Sequence, residues 1–351
     1  MDNEARTTSQ TLTYQALMLA NRLKKRYRHL HKWAKRLSIS AFRLYDRDIP
    51  EIPLVLDTYD DMVVGALYKR PYEKDEADEA LWLKAMEEAI ADSLEIAHEN
   101  IIIKHRQRQR GQSQYAKRSG QNLTRIVSEG SLKFKVNLSD YLDTGLFLDR
   151  RIMRRMIQED SKGKQVLNLF CYTAAFTVHA AVGGAASTDS IDLSNTYLGW
   201  AQENFAINRF NAQQLRMENY FNQKNRACPH LLIRADVNAF LREAVAASQR
   251  WDSIIIDPPA FSNSTMARAD FDLQRDYENL LCRCLTLLAP GGKLWFSASA
   301  RSFKAGAVEI EAALTNQFPG LTVTDISGKT VDEDFRGRKV PKAFVFEMDL
   351  F

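Results

Sequence analysis

No stretch of this 351-residue sequence approaches the ~20 consecutive apolar residues that a membrane-spanning helix needs. The opening segment MDNEARTTSQTLTYQ is acidic and polar, without the basic start and apolar run of a secretory signal, so a cytoplasmic chain is expected. Cysteine is scarce. Cys171, Cys228, Cys282 and Cys284 are too few and too poorly spaced for a disulfide framework, and nothing around them has the pattern of a zinc site. The C-x-C of Cys282 and Cys284 falls in YENLLCRCLTLLAP, an apolar helical segment, so packing is expected there and not metal binding. The six histidines form no ligand cluster, and no metal is expected. Internal repeats and low-complexity tracts are absent, as is the G-x-G-x-x-G of a pyrophosphate-binding turn, which argues against a nicotinamide dinucleotide.

What is present is an ordinary globular composition, 45% hydrophobic and 26% charged, on a chain long enough for two domains. Net charge is only +4, but it is unevenly placed. In NRLKKRYRHLHKWAKRL, from Asn21 to Leu37, the residues Leu23, Tyr27, Leu30, Ala34 and Leu37 recur at helical spacing beneath a basic face. KHRQRQRGQSQYAKRSGQNLTR, from Lys104 to Arg125, holds no acidic residue and is broken by Gly111, Ser113 and Gly120, which reads as a flexible basic loop. Either run alone could be a solvated charged face. Two in one region, with Tyr and His interleaved among Arg and Lys, suit phosphate contact and base stacking, and RNA is the expected partner.

Around one helix, EADEALWLKAMEEAIADSLEIA, the early part carries β-branched and aromatic runs, which predicts a small α+β domain over 1–138. From 139 to 351 the pattern changes. Short apolar runs (VLNLF, STDSID, HLLIRAD, WDSIIID, GKLWFSAS) alternate with helical stretches, as parallel strands joined by helical crossovers do. The fold class expected is α/β, a doubly wound Rossmann-like domain preceded by the smaller α+β domain.

In such a sheet ligands sit outside the carboxyl ends of the strands. The first strand runs through Asn168 and Phe170 into a turn at Cys171, Tyr172 and Thr173. The second ends at Asp192, followed by Leu193, 24 positions after Asn168 and close to the ~20-residue offset at which an acidic residue takes ribose hydroxyls. The third is expected to end at Asp236, followed by Val237, and the fourth at Asp257. Any one carboxylate could be only a helix cap. As an ordered set they suit adenosine, with Asp192 for the ribose hydroxyls and Asp236 for the adenine amino group. Thr173, Ala174 and Ala175 stand where a pyrophosphate turn would place glycines, which S-adenosylmethionine, lacking phosphates, tolerates. Asp257-Pro258-Pro259-Ala260-Phe261 predicts a stiff turn, because proline fixes φ and removes N–H donors, leaving carbonyls to accept from a planar base. Phe261 would stack on that base. Asp257, Pro258 and Phe261 are the expected catalytic group.

DYLDTGLFLDRR (Asp140 to Arg151), LNLFCYTAAFTVHAA (Leu167 to Ala181), DPPAFSNS (Asp257 to Ser264) and QRDY (Gln274 to Tyr277) together resemble the guanine-N7 methyltransferase half of the bifunctional bacterial 23S rRNA guanine methyltransferases of the RlmKL family. KWAKR, AFRLYDRDIPE and the Gln/Arg-rich loop extend the likeness over nearly the whole chain. The resemblance implies a class I methyltransferase fold, S-adenosylmethionine as donor, and a guanine of 23S rRNA, free or in a large-subunit precursor, as acceptor. It also implies that Thr144, Phe147, Asp149 and Arg150 help enclose the methionine end of the cofactor. The other modules of the fused relatives are not recognised here, which implies a free-standing N7 enzyme.

A related branch methylates cytosine C5 through a cysteine nucleophile. Ser297, Ala298 and Ser299 stand where that branch has Ser-Cys-Ser, and Cys171 lies in the cofactor turn, so a nitrogen acceptor is expected. Guanine N7 carries no proton and needs no general base, leaving Asp257 to stabilise charge. An exocyclic amine, as in guanine N2, is a second acceptor the residues permit. A non-catalytic RNA-binding assembly factor is the alternative from another class.

Overall fold

The computed structural model describes residues 2–69, 75–106, 120–223, 226–262, 270–299 and 303–348. The chain forms two compact units: Met1–Ser131, Val136–Thr144 and Glu333–Arg338 make the first, and Leu132–Lys135, Gly145–Asp332 and Lys339–Phe351 the second. No described helix is long and apolar enough to cross a membrane.

In the first unit, helix α1 (Asp2–Arg36) is followed by strands β1 (Ala41–Asp46), β2 (Leu54–Tyr59) and β3 (Met62–Tyr68), helix α2 (Glu76–Leu94), and strands β4 (Ile101–Arg106) and β5 (Thr124–Glu129). The sheet order is β1-β2-β3-β4, antiparallel except for β3 and β4, which α2 joins as a crossover. Asp75 starts α2 by accepting from the Ala77 N–H at 2.9 Å. Leu19, Leu23, Leu30, Trp33 and Ala34 of α1 enter one core with Phe42, Leu44, Leu56, Trp82, Met86 and Ile90. The apolar period expected from Asn21 is therefore part of a helix that starts at Asp2. Leu37 departs from that expectation: it lies past the helix end, exposed.

The basic face of α1 is also partly engaged within its own unit. Arg22 pairs with Asp48 at 2.7 Å, Arg26 Nη2 donates to the Asp334 carbonyl at 3.1 Å, and His29 meets Glu333 at 2.8 Å. Asp334, fully buried, accepts from the Arg43 backbone N–H at 2.9 Å, while Arg338 pairs with Asp48 at 3.3 Å. Lys24, Lys25, Arg28, Lys32, Lys35 and Arg36 stay exposed. Of the predicted basic loop, residues 107–119 lie outside the described residues; Lys104 is buried in β4 with Nζ donating to the Tyr141 carbonyl at 2.6 Å.

Strand β6 (Leu132–Asn137) leads to the second unit. There follow α3 (Arg151–Asp160), β7 (Gln165–Leu169), α4 (Ala175–Val182), β8 (Ser187–Asp192), α5 (Asn195–Ile207), β9 (Gln213–Arg216), α6 (Met217–Asn222), β10 (His230–Arg234), α7 (Val237–Ala246) and β11 (Trp251–Ile256). The short β12 (Phe261–Ser262) and β13 (Phe271–Asp272), α8 (Leu273–Thr286), β14 (Leu288–Ala298), α9 (Ala307–Leu314), β15 (Leu321–Asp325) and β16 (Lys342–Met348) complete it. The eight-stranded sheet has the order β15-β16-β14-β11-β7-β8-β10-β9, parallel from β14 to β9 with β15 and β16 antiparallel at one edge. Leu167, Leu169, Ile254 and Ile256 pack on one face, Val166, Ile255 and Trp295 on the other. Burial on both faces is why these strands are continuous apolar runs, and the α/β, doubly wound expectation is borne out. The chain runs from β7 outward to β8 and the edge strand β9, steps back to β10, then crosses to β11 on the other side of β7, so the switch point lies at the carboxyl ends of β7 and β11, with β8 beside them.

Cys284 is buried in α8, while Cys282, half-exposed, donates Sγ–H to Gln317 Oε1 at 2.7 Å. Among the described residues no group of acidic, His and Cys side chains could hold a metal ion.

Candidate active site

The turn after β7 does the work of a glycine-rich loop without glycine. Phe170, Tyr172 and Ala174 all have positive φ, at 56°, 52° and 57°, a region that costs L-residues strain unless neighbours hold them there. The holding contacts are visible. Cys171 N–H donates to the Ile191 carbonyl and Tyr172 N–H to Asp192 Oδ2, each at 2.9 Å, while the buried Thr173 hydroxyl donates to the Gly145 carbonyl at 2.6 Å. The Tyr172 ring packs against Phe147 (5.2 Å), Tyr197 (4.5 Å) and Trp200 (6.4 Å).

Gly145 closes this arrangement. Its φ is +98°, and a Cβ there would sit 2.2 Å from the Trp200 ring. Gly145→Ala is therefore expected to lower stability by about 2–4 kcal/mol through strain and overlap together. Urea unfolding would show this; a loss below about 0.5 kcal/mol would mean the ring does not pack there.

Asp192, at the end of β8, accepts from the Tyr172 and Ser194 backbone N–H groups at 2.9 Å each. Burial raises its pKa to about 6, with backbone donors from Ser194, Tyr172 and Leu193 working the other way. Asp236 departs from the sequence expectation in one respect. β10 ends at Arg234, and Asp236 is the N-cap of α7, its Oδ1 accepting from the Ala239 N–H at 2.9 Å, with Val237 buried behind it. It still lies beside the end of β8, since the Ala235 N–H donates to the Asp192 carbonyl at 3.1 Å. Asn168 is placed differently from a ligand-facing residue: it is buried within β7, its Nδ2 donating to Thr177 Oγ1 at 2.7 Å. Phe170 packs on Phe271 at 5.5 Å. Thr144 falls in the first unit, where its hydroxyl meets Tyr59 OH at 2.8 Å.

Asp257 follows β11 directly and lies in a guanidinium fork that local sequence does not reveal. Arg150 Nε donates to Asp257 Oδ2 at 3.1 Å and Nη2 to Oδ1 at 3.0 Å, while Nη1 pairs with Asp149 at 2.9 Å and Nη2 also reaches Ser299 Oγ. Burial acts to lower the Arg150 pKa, but Asp149 and Asp257 outweigh it and raise it. Two carboxylates to one guanidinium leave the cluster one net negative charge. Pro258 is buried and Phe261 is 42% exposed. The carbonyls of the turn are not all free: that of Ala260 accepts from the Leu273 N–H at 3.1 Å, and Phe261 pairs with Asp272 across β12 and β13. In QRDY, Gln274 Oε1 accepts from the Lys304 N–H at 3.0 Å and Tyr277 packs edge-on to Phe303, so this motif holds the chain beyond β14. Residues 263–269, which include the end of DPPAFSNS, lie outside the described residues.

The model of the S-adenosylmethionine-dependent methyltransferases matches residues 46–306. The chain belongs to that family. Membership makes it an enzyme with S-adenosylmethionine as methyl donor, on a sheet in which Asp192 ends β8, Asp236 follows β10 and Asp257 follows β11. A methyltransferase relative, the ribosomal RNA large subunit methyltransferase K of Neisseria meningitidis serogroup B, is 41% identical over 325 residues, covering 93% of this chain and 85% of that protein. A ribosomal RNA large subunit methyltransferase K/L of Pseudomonas paraeruginosa is 42% identical over 346 residues; this chain spans 98% of its own length but only 44% of that one. Among solved structures, a methyltransferase complexed with SAH superposes with a TM-score of 0.71 at 23% identity, covering 95% of this chain and 82% of the other, which shows the shared fold.

The family's cofactor suits the residues present. Asp192 offers a carboxylate held by backbone donors, and the exposed edge of Phe147 and the Tyr172 ring give an apolar wall above the turn. Cys171 is buried in that turn, and burial pushes its thiol well above the usual range, which disfavours the thiolate that a nucleophile needs.

Proposed function

We propose that this methyltransferase transfers the methyl group of S-adenosylmethionine to N7 of a guanine in 23S rRNA. The observation that carries the proposal is the 41% identity, over 93% of the chain, to a large-subunit rRNA methyltransferase K. In this reading Asp192 takes the ribose hydroxyls, Asp236 and the flanking Leu193 and Val237 hold the adenine, and Phe147, Tyr172 and Thr173 wall the methionine end. The exposed lysines and arginines of α1 contribute phosphate contacts.

The chemistry asks little of the protein. A sulfonium and a neutral ring become a thioether and a cationic ring, so positive charge moves from sulfur to guanine without net change. The single negative charge of the Asp149, Arg150 and Asp257 cluster can accompany that movement. Both Asp257 oxygens already accept from Arg150, an arrangement that orients the group. The resemblance to the guanine-N7 half of the RlmKL family is the reason to prefer N7 over an exocyclic amine. Rate then comes mainly from holding N7 and the methyl carbon in line.

The test is methylation of large-subunit rRNA from cells lacking the protein, with nuclease digestion and mass spectrometry of the product. N7-methylguanine supports the reading, and N2-methylguanine or 5-methylcytosine replaces it. Phe261→Ala should raise KM for RNA about 10- to 100-fold, the effect of one lost base-stacking contact, with cofactor affinity unchanged. Weakened S-adenosylhomocysteine binding in that variant would place Phe261 on the cofactor instead.

A further inference from the structure

We infer that Arg150 is a positioning residue for the acceptor turn, tying Asp257 to Ser299 across the ends of β11 and β14, and not a ligand of the cofactor. The inference rests on the methyltransferase reading above but departs from the role the sequence resemblance implies for this residue.

Arg150 is 5% exposed, and all three of its guanidinium nitrogens are engaged: Nε and Nη2 by Asp257, Nη1 by Asp149, and Nη2 also by Ser299. A guanidinium enclosed in this way has little left to offer a cofactor carboxylate. It does fix the orientation of Asp257 by a bidentate fork, which no other side chain reproduces. β11 and β14 are neighbours in parallel register, Ile256 opposite Phe296, so the fork joins the chain leaving one strand to the chain leaving the next.

The turn that follows is itself held at both ends. Pro258 and Pro259 fix two successive φ angles, and the far end is pinned by the Leu273 to Ala260 hydrogen bond and the Phe261 to Asp272 pairing. Between a fixed Asp257 and a pinned Phe261 there is little slack. Without the fork the Asp257 carboxylate is free to turn about its own side-chain bonds, away from the place where the fork holds it at the start of this turn. Arg150 thus acts on the reaction through Asp257, without touching either substrate.

The experiment compares Arg150→Lys, Arg150→Ala and Ser299→Ala in the full chain. S-adenosylhomocysteine affinity is measured by calorimetry, and kcat and KM by methyl transfer to total RNA from cells lacking the protein. Arg150→Lys keeps the charge but loses the fork, and is expected to lower kcat about 100-fold, as a misplacement near 1 Å does, with cofactor affinity within about threefold of wild type. Ser299→Ala, the variant least able to disturb folding, should lower kcat about tenfold with the same unchanged affinity. Millimolar guanidinium, but not equal potassium, should restore about tenfold of the activity lost in Arg150→Ala while leaving its S-adenosylhomocysteine affinity unchanged. Cofactor affinity falling in step with turnover would overturn the inference, as would unchanged kcat in both Arg150→Lys and Ser299→Ala. A wrong acceptor in the proposed function would appear as a different modified nucleoside in the wild-type reaction, leaving the comparison among variants intact.

Discussion

Asp192→Ala is expected to weaken S-adenosylhomocysteine binding by about 100-fold or more, because each hydrogen bond from a ribose hydroxyl to a carboxylate contributes about 1.5–3 kcal/mol. Calorimetry on the purified variant measures this directly, and a loss below about fivefold would remove Asp192 from the ribose site. The same carboxyl sets a pH dependence with a definite sign. Burial holds its pKa at about 6 in the ligand-free protein, while donation from a diol favours the charged form. Affinity should be flat above about pH 7 and fall about tenfold per unit below about pH 6, with a proton released on binding. Asp192→Asn should bind weakly and show no such slope. In the folding equilibrium the same raised pKa acts in the opposite sense. Its contribution to stability is complete below the ordinary value of 3.8 and is lost as pH rises through about 6.

The largest expected effect on stability comes from Asp189, three residues earlier on β8. It is 2% exposed and accepts from Arg226 Nη1 (2.9 Å), Trp251 Nε1 (2.9 Å) and Tyr220 OH (3.1 Å). Burial raises its pKa, and Arg226, Trp251 and Tyr220 oppose that shift. Asp189→Ala leaves the Trp251 and Tyr220 donors and Arg226 Nη1 without their acceptor, while Arg226 keeps the Thr188, Cys228 and Pro229 carbonyls, and should cost about 3–5 kcal/mol in urea unfolding. A loss under about 1 kcal/mol would mean that water reaches the network.

These two aspartates show which parts of the molecule could be read in advance. Asp192 stands out because the alternation of apolar strands and helices marks where β8 ends, and the sheet's geometry makes strand ends the place for ligands. Asp189 lies in the same STDSID run and gives no local signal, since its partners are 31 to 62 residues away. The Arg150 fork is hidden for the same reason: Asp257 is 107 positions from it and Ser299 is 149. The turn after β7 is an intermediate case. Its missing glycines were evident, but not that Phe170, Tyr172 and Ala174 would adopt left-handed conformations regardless, held by Asp192, Gly145 and a packed Tyr172 ring. Helical period located α1 but not its start, because the residues before Asn21 carry few strongly apolar positions.

The segment Glu333–Arg338 has a consequence for the order in which the chain can be built. Its Asp334 and Arg338 complete the network of Arg26, Arg43 and Asp48 in the first unit, across separations of 290 to 308 residues. During synthesis at about 5–20 residues per second, those partners wait roughly 15–60 s for the last piece of their own core. The unit that leaves the ribosome first is therefore finished only as the chain ends, as is the second unit, whose sheet waits for β16 at Lys342–Met348. A fragment ending at residue 144 would hold Arg26, Arg43 and Asp48 as permanently unfinished business, a nascent state preserved.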